Sequence, residues 1–148
     1  MKRSSHYEMP LYKRQELHFE CTRCGVCCTG NADAYVLLRP GEAEALCAEL
    51  GLSWAWFRRH YLRRDSDGDL VLRMREGQGR CTCILLGADG QCRAYQARPI
   101  QCRTYPFWPE LLRSAKAWER EARRCEGIGR GERVPLERIE VALKEQGK

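Results

Sequence analysis

Long apolar runs are missing from this chain. No stretch approaches the ~18 consecutive apolar residues of a membrane-spanning helix, which excludes a helical membrane protein. The opening, Met1-Lys-Arg-Ser-Ser-His-Tyr-Glu-Met-Pro10, is polar and basic and lacks the apolar segment of an export signal. A cytoplasmic location is therefore expected, in a reducing compartment where clustered cysteines bind metal more often than they form disulfides. Also missing are a phosphate-binding glycine loop, a nicotinamide fingerprint, a nucleophile–base pair and the CxxxCxxC spacing of radical-SAM enzymes. Those absences leave the question of an enzyme open and turn attention to metal. No internal repeat or interdomain linker interrupts the 148 residues, a length that fits one domain with a modest core.

What is present in excess is cysteine, with ten residues, too many for a cytosolic protein that uses them only for packing. Hydrophobic residues make up 43% and charged residues 31%, the balance of a globular rather than a disordered chain. The formal charge is +6, from 26 Lys and Arg against 20 Asp and Glu. The arginines are scattered, and no basic helix or RNA-binding motif stands out, so nucleic acid is not the expected partner. A metal centre accounts for the excess differently. Four thiolates around zinc, or around an oxidised 4Fe–4S core, leave a net charge of about −2 that nearby arginines offset.

The chain is organised around Cys21-Thr-Arg-Cys24-Gly-Val-Cys27-Cys28. Thiolates are soft ligands, and at two-residue spacing they can turn toward one point, with Gly25 freeing the backbone between them. Cys21, Cys24 and Cys27 match the three-cysteine run of ferredoxin-type clusters, although no Cys-Pro follows. Adjacent Cys27 and Cys28 are hard to aim at one ion together, so one of them packs or serves a second site. A second group surrounds Gly87-Ala-Asp-Gly90, which reads as the four-residue loop of a hairpin. Leu86 opposite Gln91 puts Leu85 opposite Cys92, and Cys83 then lies diagonally across from Cys92 within reach of one metal. Cys102 follows, flanked by Arg98 and Arg103, either of which could hydrogen-bond a thiolate. Tyr105, Phe107 and Trp108 would shield the centre or fill the core. Cys125 ends the inward stripe of a helix and is an eighth candidate ligand. Eight candidates allow two four-cysteine sites, with Cys21, Cys24, Cys83 and Cys92 as the zinc-like set.

The remaining segments read as scaffold. Residues 1–18 look like a basic, flexible lead-in, and 19–148 like one cysteine-cluster domain. Residues 34–38 read as a strand. A helix follows with Pro40 in its first turn and Glu42 and Glu44 at its positive end, and Gly51 stops it. Ala43, Leu46, Cys47 and Leu50 share its buried face, which makes Cys47 a core residue. Ser53 caps a helix whose face carries Trp54, Phe57 and Tyr61, an aromatic stripe expected in the core. His60 is not counted as a ligand. Asp67-Gly68 marks a turn and 70–74 a strand. A helix is expected over about 110–124, with Leu111, Ala115, Trp118, Ala122 and Cys125 in line, and Gly127 and Gly129 beyond it. A last helix begins near Pro135 and buries Leu136, Ile139 and Leu143.

These motifs resemble the YkgJ-type cysteine-cluster family, CxxCxxCC, whose members are described as zinc- or iron-chelating domains. The carriers are Cys21-x-x-Cys24-Gly-x-Cys27-Cys28, Cys83-x-x-Leu86 with Cys92, Tyr95, and Arg98-Pro99-x-x-Cys102-Arg103-x-Tyr105-Pro106-Phe107, over roughly residues 19–130. Cys81 is additional to the pattern, and Cys125-Glu126-Gly127 lacks the proline that some members carry between those positions. The resemblance implies metal binding. Together with the residues it predicts a small α+β domain stapled by metal, with short helices around a cysteine cluster and a β-hairpin. The expected cofactor is an iron–sulfur cluster of the 4Fe–4S type, or zinc. The protein would act as a metal-binding module with a protein partner; the alternative is an electron carrier or cluster-dependent enzyme.

Overall fold

The computed structural model describes residues 9–30, 35–77 and 80–147. In chain order these form α1 (Leu11–Arg14), β1 (His18–Phe19), a 3-10 turn (Val26–Cys28) and β2 (Thr29–Gly30). Then come α2 (Glu42–Leu50), α3 (Trp54–Tyr61), β3 (Leu62–Arg64), β4 (Leu70–Leu72), β5 (Met74–Gly77) and β6 (Arg80–Cys83). A second 3-10 turn (Tyr95–Ala97) leads to α4 (Ile100–Thr104), α5 (Pro109–Leu112), α6 (Ala115–Ala122), β7 (Ile128–Arg133) and α7 (Leu136–Gln146). Short helices with short antiparallel strands make the fold α+β, as the sequence predicts. The chain gathers into two compact units, one of residues up to Thr22 plus Pro106 onward, the other Arg23–Tyr105.

The first unit has a core of Leu11, Leu17, Phe107, Leu112, Trp118, Val134, Ile139 and Ala142. Phe107 stacks on Trp118 and meets Phe19 edge-on, so its ring fills this core. Of the expected lead-in, residues 1–8 lie outside the described residues. The rest is tied down, because α1 forms and Leu11 and Leu17 are fully buried. β1 pairs antiparallel with β7, a strand that follows no apolar alternation and contains Gly129 and Gly131. The helix expected over 110–124 is two helices. Ser114 breaks it by turning extended and accepting a hydrogen bond from the Ala117 amide at 3.1 Å, the capping geometry that starts α6. In α7 the buried residues are Ile139 and Ala142, whereas Leu136 is exposed.

The second unit is built on Val36, Leu38, Ala43, Leu46, Cys47, Phe57, Leu62, Leu72, Cys83, Leu85 and Ala94. β3 pairs with β4, and residues 36–38 lie along β4 through Leu38 N–H to Leu70 and Leu72 N–H to Val36. A second sheet runs β2-β6-β5. α2 buries its expected face, starts at Glu42 after Gly41, two residues beyond Pro40, and ends on left-handed Gly51. Cys47 donates its S–H to the Leu52 carbonyl at 3.1 Å, as a core thiol does. Ser53 caps α3 as expected. The aromatic stripe is only partly core: Phe57 is buried, Tyr61 is half-buried and stacked on it, and Trp54 is exposed. His60 stacks on exposed Trp56 at 3.8 Å between ring centroids.

Candidate metal centre

Three separate segments of the second unit deliver thiols toward one another. The first is the 3-10 turn after Gly25. Gly25 has φ +81°, and a Cβ there would stand 2.5 Å from the Gly90 carbonyl oxygen, so the turn packs directly against the hairpin loop. Only glycine fits both constraints. Cys27 and Cys28 follow at once, Cys27 exposed and Cys28 half-buried.

The second segment is the hairpin, and its register differs from expectation by one residue. Leu86, not Leu85, faces Cys92, with Gly87 N–H bonded to Gln91 and Arg93 N–H to Leu85. Two local features set this. Beyond Cys83 the chain turns, with Leu86 N–H reaching back to the Cys83 carbonyl, and Asp89 accepts the Gln91 amide at 3.0 Å. Cys83 itself ends β6 and pairs with Met74 of β5. Arg75 and Arg93 brace the turn by donating to the Leu86 and Ile84 carbonyls. The third segment is α4. After Pro99 the proline-rich stretch folds into a helix that carries Cys102 in its middle.

Electrostatics shows what these segments achieve. The Cys28 thiol is pushed far up, first by its hydrogen bond with Cys27, then by burial and by the neighbouring thiols of Cys27, Cys83 and Cys102. Burial lifts Cys83 from 9.0 to about 11, with Cys92 and Cys27 adding to the effect and Arg75 opposing it. Cys92 is raised by burial and Cys27, against the pull of Arg98 and Arg93. Cys102 is raised strongly by burial and by Cys83, Cys27 and Cys92, again opposed by Arg98. The Cys27 thiol thus acts on Cys28, Cys83, Cys92 and Cys102 alike, and Cys83 acts on Cys28 and Cys102 as well. Among the described residues, no three ligating side chains already stand in metal-binding geometry. The donor set nonetheless suits a thiolate-bound metal: soft thiols, from exposed Cys27 to buried Cys83, of which Cys28, Cys83, Cys92 and Cys102 resist ionisation alone and would ionise once a cation replaces their protons.

Of the two flanking arginines, Arg98 acts on Cys92 and Cys102, and Arg103 is exposed. Arg98 also donates to the Tyr95 carbonyl at 3.0 Å and lies over the Tyr95 ring at 3.8 Å, where the Arg23 guanidinium lies at 4.0 Å. Arg75 and Arg93 escaped the sequence reading, since the pairing of β5 with β6 places the first near the sulfurs and the hairpin the second. Cys24 is exposed. Cys21 and Cys125 belong to the first unit. There, Glu20 N–H bonds to the Gly127 carbonyl and Thr22 donates to Glu126 at 2.6 Å, which sets Cys21 beside the segment of buried Cys125. Cys81 is buried in β6, paired with Gly30 and Glu76.

A family model, CxxCxxCC, described as a "putative zinc- or iron-chelating domain", matches residues 20–126, well over half of the chain. No solved structure matches it.

Proposed function

The chain belongs to the CxxCxxCC family of zinc- or iron-chelating domains, and from that premise we propose that it is a metal-binding module whose centre lies in the second unit. The reading rests on one observation. Four thiols from three segments, Cys28, Cys83, Cys92 and Cys102, are raised by burial and by neighbouring thiols, with Cys27 acting on each, an arrangement that is costly for free cysteines and favourable once a cation replaces their protons. Cys83, Cys92 and Cys102, with Cys27 or Cys28, supply a four-thiolate set. Cys24 in the second unit, and Cys21 with Cys125 in the first, remain further candidate ligands within their own units. When bound, the metal supplies folding free energy and, if it is an iron–sulfur cluster, a redox centre.

The chain's own residues do the rest. Gly25 lets the first cysteine pair approach the hairpin, burial keeps water from Cys83, and Arg98 with Arg75 and Arg93 offsets thiolate charge. An iron–sulfur cluster is favoured over zinc because three closely spaced cysteines lead the motif. The test is metal analysis with an absorption spectrum after purification without oxygen. Iron with broad absorption in the visible supports the cluster, zinc in a colourless protein replaces it, and a metal-free protein that takes up neither sinks the proposal.

A further inference from the structure

α4 is too short to hold itself in place, because five residues close barely more than one helical turn. Its N-cap is Pro99, which has no side-chain acceptor for the free amides of the first turn. That acceptor comes from 58 residues away. Glu42 Oε1 receives the Ile100 amide at 2.7 Å, while its Oε2 receives the Arg39 amide at 2.8 Å just before α2. One carboxylate thus serves two backbone N–H groups and joins the start of α2 to the start of α4. The next residue of α4 makes a second tie. Gln101 accepts from the Leu37 amide at 3.1 Å and donates to the Tyr35 carbonyl at 3.0 Å, so its amide ties α4 to the segment at 35–37 that lies along β4. Cys102 is the residue after that.

We propose that Glu42 is a positioning residue of the metal centre, with Gln101 in support, and acts by holding the helix that presents the Cys102 thiolate. The inference rests on the reading of Cys102 as a ligand. A carboxylate accepting two amides is a strong, charge-assisted clamp, and orienting groups behind a ligand typically change metal affinity 10–100-fold. Glu44 provides the internal control. It shares the first turn of α2 and the same helix-dipole contribution, but it is exposed and forms neither of the two ties.

The experiment titrates metal-free full-length protein with cobalt(II), reading affinity by competition and the thiolate-to-cobalt charge-transfer intensity. The expected result is a loss of about tenfold or more in affinity for Glu42→Ala, with the intensity of Cys102→Ser. Glu44→Ala should match the unsubstituted protein. Glu42→Gln should fall between, since its one carbonyl oxygen can serve one amide where the carboxylate serves two. In the Cys102→Ser background, Glu42→Ala should cost nothing more. Equal behaviour of Glu42→Ala and Glu44→Ala would overturn the proposal. So would an undiminished Glu42→Ala effect without Cys102, which would mean a general loss of fold. An unsubstituted protein that takes up no cobalt would instead overturn the metal-binding reading beneath it.

Discussion

At the scale of single residues, the ten cysteines separate by surroundings rather than by spacing. Cys47 has a carbonyl to donate to and an apolar helix face around it, whereas Cys83 and Cys102 are held against other thiols. Replacing Cys83 or Cys102 by serine should lower bound metal per chain, and Cys47→Ser should leave it unchanged, as read by metal analysis. Metal loss in Cys47→Ser with full metal in Cys83→Ser would reverse the assignment. Gly25 is the second sensitive position. Its Cβ would meet the Gly90 carbonyl and its φ is +81°, so Gly25→Ala should cost about 1–3 kcal/mol and lower metal content with it. Chemical denaturation and metal analysis of the same sample would show whether the two losses go together. The family was legible in the cysteine motif, because thiols at such spacing have few other uses. Arg75 and Arg93 were not, because no local pattern marks an arginine that strand pairing or a hairpin will carry to a sulfur.

At the scale of elements, helices whose amphipathic stripe matches their burial were legible, and those set by one polar residue were not. α2 carried both its stripe and its glycine stop in the sequence. The apolar stripe of 110–124 runs on through Ser114, yet that side chain ends one helix and caps the next. Ser114→Ala should cost about 1 kcal/mol in urea denaturation and leave metal content unchanged, since the candidate centre lies in the other unit. An unchanged urea midpoint would show that the cap contributes nothing. The hairpin shows the same limit. Its glycines were visible, but the Asp89 side-chain bond that helps set a five-residue connection is a competition that composition does not decide. β1 and β7 were missed because their pairing is long-range and their residues polar.

At the scale of the molecule, the proposed centre would set protons and metal in competition for the same sulfurs, with opposite responses to pH. In the metal-free protein Cys83 titrates at about 11 instead of 9.0, so the folded state holds its proton more tightly than the unfolded chain does. That contribution to stability is complete below about pH 9 and is lost as pH rises toward 11. The urea midpoint of metal-free protein should therefore fall across that window, and fall less in Cys83→Ala. A flat profile, or an equal fall in both proteins, would contradict it. Metal affinity should rise with pH over the neutral range, because each bound thiol gives up a proton. The most direct measurement is X-ray absorption at the iron and zinc edges of protein purified without oxygen. The account predicts a first shell of sulfur at about 2.3 Å. A shell dominated by nitrogen and oxygen would contradict it.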